Sequence, residues 1–257
     1  MLSIKEIKGL SKQKKARDVQ GLFVTEGKKL FLEAPEDRIV QVLMTREFAE
    51  EHPDLVARIP AGVPALLDME RGRFMEVADT RAPQGVLTVV RKEEPSMEAY
   101  LAGCRTSPFF LLLENLQDPG NAGTILRTAE AAGVDAVFVT EGSVDLYAPK
   151  TIRATMGSIY RVPHFYVPDA FSFLKKMSTM GVTSYAAHLR GTSVYTDCTF
   201  SGGTLLIIGN EGNGITDVTA DAADVLMKIP MAGRVESLNA AMAAGILMYE
   251  VRRQRNL

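Results

Sequence analysis

Short, uninterrupted apolar runs recur through the second half of the chain, and helical stretches lie between most of them. A strand that is apolar along its whole length is buried on both faces, which is typical of a parallel sheet covered by helices. This alternation predicts an α/β fold with a mostly parallel sheet. The apolar runs are FFLLLEN (109–115), DAVFVT (135–140), TSYAAHL (183–189) and TLLIIGN (204–210).

The region before residue 92 has a mixed pattern that predicts a small α/β domain. A basic helix opens it, and helical character returns around residues 46–51. The other assigned elements are the strand-like stretches GLFVTEG, RIVQVLMT and GVLTVVRK and a further element at MEVADT.

A charged stretch with two prolines, RKEEPSMEAYLAGCRTSP (91–108), interrupts the apolar pattern and marks a domain boundary. We therefore predict two domains, residues 1–95 and residues 108–257. A chain of 257 residues exceeds the usual size of a single domain, in agreement with this division.

Cysteine and histidine, the residues of disulfide frameworks and zinc sites, are scarce. Cys104 and Cys198 are the two cysteines, and the three histidines are scattered. No apolar stretch approaches the roughly 20 residues that span a bilayer, and the N-terminus lacks the apolar core of a signal peptide. We expect a protein of the reducing cytoplasm with neither a metal site nor a membrane segment.

The formal net charge of −2 conceals a basic segment at the N-terminus. Residues 1–30 carry eight basic and three acidic side chains, a net charge of +5. Such a segment attracts phosphates without making the whole surface basic, although an ordinary solvated helix face has the same composition. The candidate phosphate contacts are Lys12, Lys14, Lys15 and Arg17, together with Lys150 and Arg153 near a later helix start.

Three polar segments follow predicted strands, and the first is ENLQDPGNAGTILRTAEAAG (114–133). The chain turns through DPG and enters a helix near Asn121, which suits an N-cap. Thr124, Arg127 and Thr128 then project from one side of this helix. A lone arginine here suits either a surface salt bridge or a functional role.

The second segment is the glycine-rich IIGNEGNGI (207–215). Its glycines permit tight turns or a close approach of the backbone. The spacing GxxGxG differs from the dinucleotide fingerprint GxGxxG, which disfavours a Rossmann cofactor site. A plain strand-to-turn loop is the alternative interpretation.

The third segment, IPMAGRVESLNAAMAAGILMYEVRRQ (229–254), leads from a strand end through a loop into a long helix. Ser237 is a candidate N-cap of this helix. An apolar stripe along the helix predicts a core or dimer contact. The stripe comprises Leu238, Met242, Gly245, Ile246 and Tyr249.

In this order and with these residues, the three segments resemble the signature motifs of the SpoU/TrmH family, RNA 2′-O-ribose methyltransferases of the SPOUT superfamily. The resemblance covers roughly residues 108–253. The stretch LSKQKKARDVQGLFVTEGKKLFLEA is similar to the RNA-binding domain that precedes the catalytic domain in many members. The resemblance implies a parallel sheet with a deep trefoil knot, S-adenosylmethionine as cofactor, no metal, and a homodimer.

The resemblance also implies roles for individual residues. Gly209 would let the backbone approach the adenosyl group, so that Gly209→Val would block the pocket and leave the fold largely intact. Arg127 would hold an RNA phosphate and position the 2′-hydroxyl, or act as the general base. The implied catalytic residues are Asn121, Arg127, Glu211, Ser237 and Asn239, and the implied cofactor contacts are Gly209, Asn210, Ile229, Met231 and Leu238.

The function that follows from the resemblance is S-adenosylmethionine-dependent 2′-O-methylation of RNA. Ribosomal RNA is favoured because of the additional domain, and transfer RNA is the alternative. A non-catalytic RNA-binding assembly factor on the same fold is a second alternative. A class I methyltransferase on a Rossmann-like sheet is disfavoured, since no glycine-rich loop follows the first strand. The sequence does not identify the nucleotide that is methylated.

Overall fold

The computed structural model describes residues 1–93 and 95–256. The helices are α1 (Ile4–Lys12), α2 (Lys14–Gln20), α3 (Lys28–Glu33), α4 (Arg46–Glu51), α5 (Pro53–Val56), α6 (Arg71–Phe74), α7 (Met97–Ala102), α8 (Pro119–Ala132), α9 (Pro149–Thr155), α10 (Ala170–Thr179), α11 (Asp217–Ala222) and α12 (Ala240–Arg255). The strands are β1 (Leu22–Glu26), β2 (Ile39–Thr45), β3 (Ala65–Met69), β4 (Val86–Arg91), β5 (Phe109–Leu113), β6 (Ala136–Thr140), β7 (His164–Val167), β8 (Thr183–Ala187), β9 (Ser193–Val194), β10 (Thr204–Ile208) and β11 (Val225–Lys228).

The described residues form two compact units. The first unit consists of residues 1–93 together with 145–160, and the second of residues 95–144 together with 161–256. The segment 145–160, which carries α9, therefore packs within the first unit although the sequence on either side of it belongs to the second. The predicted domains of 1–95 and 108–257 placed this segment in the second domain instead.

The first unit contains a mixed four-stranded sheet in the order β1-β4-β2-β3. Strand β4 is antiparallel to β1 and to β2, and β3 is parallel to β2. The predicted strands at β1, β2 and β4 are present, but residues 75–80 (MEVADT) form turns rather than a regular element. Strand β3 was missed because Asp68 interrupts its apolar residues, so that no continuous apolar run marks it.

The second unit contains a seven-stranded sheet in the order β7-β6-β5-β10-β8-β11-β9, and every neighbouring pair is parallel. The predicted α/β fold with a parallel sheet is thus confirmed. Strands β5 and β10 are buried along their whole length at the centre of the sheet. The trefoil knot stays a prediction.

The sheet topology positions the site. Strand β10 pairs with β5 on one side and with β8 on the other, although long stretches of chain separate them in sequence. Because the carboxyl ends of parallel strands meet at one edge of a sheet, the loops after β5, β8 and β10 converge there, which is where open α/β folds bind ligands. No helix among the described residues is long and apolar enough to cross a membrane.

Candidate active site

The start of α8 differs from the predicted one. The N-cap is Asp118, whose side chain accepts a hydrogen bond from the backbone amide of Asn121 at 2.8 Å, and Pro119 occupies the first helical position. An aspartate there satisfies an otherwise unpaired amide and suits the positive end of the helix dipole. The prediction that Asn121 caps the helix was therefore wrong, and its side chain amide is left for other contacts.

Residues 209–216 after β10, termed the glycine loop, are held by their own hydrogen bonds. Asn210 and Gly214 exchange two backbone hydrogen bonds of 2.9 Å. The side chain oxygen of Asn210 accepts from the amides of Gly212 and Asn213 at 2.8 and 3.0 Å. Its side chain nitrogen donates to the carbonyl of Asn115 at 2.9 Å, which ties the loop to the end of β5.

The need for glycine at position 209 comes from within this loop. A Cβ on Gly209 would lie 2.2 Å from the carbonyl carbon of Gly214 and 2.3 Å from the nitrogen of Ile215. Because both are backbone atoms, no side chain rotation relieves the overlap. The expectation that Gly209→Val leaves the fold largely intact is thus wrong, since a side chain there displaces the loop itself.

Three of the predicted catalytic residues, one from each polar segment, form a hydrogen-bonded chain, termed the amide–carboxylate network. The side chain nitrogen of Asn121 donates to Glu211 Oε1 at 3.0 Å. The side chain nitrogen of Asn239 donates to Asn121 Oδ1 at 2.9 Å. The Glu211 carboxylate also accepts from the amides of Gln117 and Asp118 at 3.1 and 3.0 Å. The network therefore fixes the three polar segments against one another.

Glu211 is held in its charged form. Burial alone would raise the pKa of this carboxyl group, but the hydrogen bonds from the Asn121 side chain and from the Asp118 and Gln117 amides outweigh it and lower the pKa below its usual value. Glu211 therefore serves as a hydrogen-bond acceptor near neutral pH rather than as a proton donor.

Asn239, not the predicted Ser237, is the N-cap of α12. Its Oδ1 accepts from the amides of Ala241 and Met242 at 2.9 and 3.3 Å. The asparagine thus uses its oxygen to cap the helix and its nitrogen to contact Asn121. Ser237 lies exposed on the loop before the helix, outside the network.

Arg127 lies on α8, exposed to solvent. Across residues 1–93 and 95–256 its guanidinium makes no ion pair or hydrogen bond, so the salt-bridge interpretation finds no support. Since a guanidinium stays protonated and presents a planar fork of donors, Arg127 is available to an external phosphate.

A cavity of about 490 Å³ opens beside the glycine loop. Its volume falls within the roughly 300–1,000 Å³ of small-molecule sites. Of the predicted cofactor contacts Asn210 lines this cavity, whereas Gly209, Ile229, Met231 and Leu238 are half-buried on loops after β10 and β11 and do not line it. The lining residues are Asn115, His188, Asn210, Asn213, Gly214, Ile215, Thr216 and Asp217.

The cavity suits the predicted cofactor. Side chain amides supply donors and acceptors for a nucleoside, and Ile215 supplies apolar surface. The Asp217 carboxylate already pairs with Arg190 at 2.9 Å. The other seven lining residues were not among the predicted cofactor contacts. Asn115 takes a left-handed φ of 53°, which no sequence pattern reveals. His188 directly follows β8, and the rule that ligands bind at strand carboxyl ends could have found it.

The predicted RNA contacts divide into two groups. Lys12, Lys14, Lys15 and Lys150 are exposed. Arg17 is only 4% exposed and pairs with Asp145, with its Nε at 2.9 Å and an Nη at 2.6 Å. The prediction that Arg17 contacts RNA therefore conflicts with its burial. Arg153 is half-buried, and one of its Nη atoms lies 2.6 Å from Asp79.

The part of the chain that the structure describes contains no cluster of three or more histidine, cysteine, aspartate or glutamate side chains placed to hold a metal ion. The site described above consists of amides, carboxylates and a guanidinium.

Comparison with known proteins relates both parts of the chain to RNA methyltransferases. Residues 108–249 match the SpoU rRNA Methylase family, and residues 2–88 match the MRM3-like substrate binding domain. The 23S rRNA (guanosine(2553)-2'-O)-methyltransferase RlmP of Bacillus subtilis (strain 168) is 32% identical over 244 residues, covering 93% of this chain and 92% of that protein.

Two solved structures are similar over nearly the whole chain. The SpoU methyltransferase AviRb from Streptomyces viridochromogenes, in complex with the cofactor AdoMet, has a TM-score of 0.87 at 26% identity and covers 98% of this chain and 97% of that one. An AdoMet-bound rRNA methyltransferase from Sinorhizobium meliloti has a TM-score of 0.83 at 31% identity, with coverages of 97% and 94%.

Proposed function

The chain belongs to the SpoU rRNA methylase family, and from this premise we propose that it methylates a ribose 2′-hydroxyl of ribosomal RNA. The cofactor of the family is S-adenosylmethionine, and the related AviRb was solved with it bound. The observation that carries the proposal is the amide–carboxylate network, which joins one residue from each polar segment. The exposed Arg127 lies on α8, the helix that also carries Asn121.

The reaction requires that a weak nucleophile be positioned precisely. The cofactor supplies an electrophilic methyl group on a sulfonium. The 2′-oxygen forms a bond to that methyl carbon as the carbon–sulfur bond breaks, the sulfur takes the bonding electron pair, and the hydroxyl proton passes to solvent or a basic group. The task of the protein is to align the oxygen with the methyl group, since alignment can supply several kcal/mol of the barrier.

Each residue of the site has a task that its geometry supports. Arg127 grips a phosphate beside the reactive ribose, because a guanidinium binds phosphate through two parallel hydrogen bonds. The ionised Glu211 holds the start of α8 through two amides and Asn121. Asn239 then locks the start of α12 to the same point. Ser237, on the exposed loop, is assigned to the substrate.

Ribosomal RNA is favoured over transfer RNA for two reasons. The relative RlmP is named as an enzyme of 23S rRNA and aligns over nearly the whole chain. The first unit also matches a substrate-binding domain of its own. The non-catalytic alternative is disfavoured because a binding protein has no need of both the network and an Arg127 that pairs with none of the residues that the structure describes.

We further propose a homodimer in the cytoplasm. Met242 and Tyr249, seven positions apart on α12, are 62% and 50% exposed, and large apolar side chains at this spacing suit a helix contact. The two cysteines are free thiols, as expected in a reducing compartment.

Mapping of 2′-O-methyl groups in a strain that lacks the gene tests the proposal. One methyl group should disappear from ribosomal RNA relative to the parent, return with the intact gene, and stay absent with the Arg127→Ala gene. A methyl group lost from transfer RNA would establish the first alternative instead. Unchanged methylation in both RNAs would favour the non-catalytic assembly factor.

A further inference from the structure

A buried carboxylate lies directly behind the site and has no role in the chemistry proposed above. Glu114 follows β5 at the centre of the parallel sheet and is only 4% exposed. A buried carboxylate is costly unless hydrogen bonds compensate for its lost hydration. Such a group therefore requires a structural or functional reason.

All the donors that satisfy Glu114 come from the end of the glycine loop and the helix that follows it. Oε2 accepts from the backbone amide of Thr216 at 2.9 Å. Oε1 accepts from the hydroxyls of Thr216 and Thr219 at 2.8 and 2.6 Å. Thr216 is also the N-cap of α11. The carboxylate thus fixes the point at which the glycine loop ends.

The beginning of the loop is fixed to the same short stretch. The backbone amide of Glu114 donates to the carbonyl of Ile208 at 2.9 Å, which extends the pairing of β5 with β10 by one step. The neighbouring carbonyl of Asn115 accepts from the Asn210 side chain. Both ends of the glycine loop are therefore tied to Glu114 and Asn115.

We propose that Glu114 is a positioning residue, which clamps the glycine loop so that Glu211 faces the start of α8. Glu211 lies between the two anchors, and its carboxylate reaches the amides of Gln117 and Asp118 only while the loop keeps this path. The effect on catalysis rests on the proposed function, whereas the effect on the position of Glu211 does not.

The chemistry of the clamp explains why a carboxylate is used. An ionised carboxylate only accepts hydrogen bonds, and here every partner is a donor. A glutamine at the same position keeps one acceptor but places an NH₂ group against the amide or the hydroxyls of the threonines. The hydroxyls can rotate to accept, so Glu114→Gln should weaken the clamp, and Glu114→Ala should remove it.

Three variants and one control separate positioning from general stability, and one of the three is the Glu114→Gln already described. Glu114→Ala removes the clamp, and Thr219→Val removes one donor without altering the shape of the side chain or the lining of the cavity. Glu250→Gln is the matched control, because Glu250 is another buried glutamate of the same unit that accepts hydrogen bonds from Arg253 and Gln254 on its own helix.

The decisive measurement is the pKa of Glu211, followed by ¹³C NMR of the glutamate carboxyl groups in the full chain. The pKa should rise towards the usual glutamate value in Glu114→Ala, rise less in Thr219→Val, and stay low in Glu250→Gln. The kcat should fall by about 100-fold in Glu114→Ala, as expected when a reacting group is displaced by about 1 Å, and Glu114→Gln should recover part of it.

An unchanged Glu211 pKa in a folded Thr219→Val and a folded Glu114→Ala would overturn the proposal. If Glu114→Ala does not fold, Thr219→Val and Glu114→Gln decide it by the same measurement. Because this titration needs no RNA, it gives its answer even if the protein does not methylate ribosomal RNA. A failed methylation assay alone would contradict the proposed function and leave the clamp standing.

Discussion

At the scale of single residues, Arg127 is the side chain whose substitution is expected to separate catalysis from cofactor binding. Arg127→Ala should reduce methylation by several orders of magnitude and leave the affinity for S-adenosylmethionine unchanged, because the guanidinium is exposed and outside the cavity. Arg127→Lys should recover little, since a point charge does not reproduce a planar fork. Steady-state kinetics and calorimetry on the same preparations measure both effects.

Arg161→Ala is the matched control for Arg127. Arg161 is an exposed arginine of the same unit whose guanidinium pairs with Glu130, and its loss should leave methylation unchanged. Near-full activity in Arg127→Lys would contradict a bidentate hydrogen-bonded contact between Arg127 and the phosphate.

Gly209 and Gly212 provide a second test within one loop. Gly209→Ala should lower the free energy of unfolding by about 1–3 kcal/mol or more, the cost typical of an overpacked core. The reason is that the new Cβ overlaps the backbone of Gly214. Cofactor binding should be lost with it, since Asn210 and Gly214 line the cavity. Denaturant titration and calorimetry measure the two quantities.

Gly212→Ala is the internal control, because a Cβ at that position meets only the Asn210 side chain oxygen at an ordinary 3.5 Å. It should cost much less stability. Equal stability of the wild type and Gly209→Ala would show that the loop can move aside and that its shape does not require glycine.

At the scale of elements, the site depends on two helix starts and one loop meeting at the amide–carboxylate network. Asn239 serves both the cap of α12 and the contact with Asn121, and two substitutions distinguish these tasks. Asn239→Asp keeps an oxygen that caps the helix but loses the donor to Asn121. We expect it to retain stability and lose methylation, because a carboxylate at an N-cap is favourable.

Asn239→Ala should lose both, with a cost of about 0.5–2 kcal/mol for the missing cap. Thermal unfolding and methylation assays on the two variants provide the measurement. An active Asn239→Asp would mean that the cap alone matters and that the bond to Asn121 has no part in the reaction.

The lowered pKa of Glu211 predicts a dependence of stability on pH. A carboxyl group whose pKa is lower in the folded than in the unfolded protein adds stability above its unfolded pKa, and this stability is lost as the pH falls through the folded value. The wild type should therefore unfold at a higher temperature than Glu211→Gln near pH 7, and the difference should shrink as the pH falls below the usual pKa of glutamate. A difference that stays constant over this range would contradict the assigned charge of Glu211.

The elements that the sequence predicted well are those with a strong local signal. Strands β5, β6 and β10 are nearly continuous apolar runs, and β8 is apolar in its second half. Their parallel pairing follows from the helices between them. The helix caps were misassigned because Asp118 and Asn121, like Ser237 and Asn239, are all good cap residues within a few positions of each other. Which residue caps each helix depends on tertiary contacts. The Asn121 side chain bonds to Glu211 and Asn239, and Asp118 caps α8 instead.

The cavity and the contacts of Glu114 could not be predicted from local sequence either. Both depend on which strands lie side by side, and the pairing of β5 with β10 brings together residues about 95 positions apart. The pattern of residues along the chain does not show which strands pair with each other. The need for glycine at 209 was foreseen, but the path of the loop, which requires it independently of any ligand, was not.

At the scale of the whole molecule, we expect the first unit to contribute much of the RNA affinity and the second to bind the cofactor, and salt dependence tests this expectation. Replacing Lys12, Lys14 and Lys15 with glutamine should weaken RNA binding and leave cofactor affinity unchanged. The slope of log affinity against log salt concentration should fall by roughly 0.7–0.9 per phosphate contact removed. Arg17 is left out, because its buried pair with Asp145 holds the first unit together. Fluorescence titrations at several salt concentrations provide the slope.

Lys175→Gln is the control, since Lys175 is an exposed lysine of α10 in the second unit, and it should not alter the slope. An unchanged slope in the triple variant would mean that the three lysines of α1 and α2 face solvent in the complex. The exposed Lys150 would then be the next residue to substitute.

The most direct test of the proposed function is the identification of the methylated nucleoside made by the purified protein. Ribosomal RNA and ribosomal particles from a strain that lacks the gene would be incubated with S-adenosylmethionine, digested to nucleosides and measured by mass spectrometry, with transfer RNA and Arg127→Ala as controls. A single 2′-O-methylnucleoside should appear in ribosomal RNA, and none in either control. A base-methylated product, or no product from folded protein that binds the cofactor, would contradict ribose methylation.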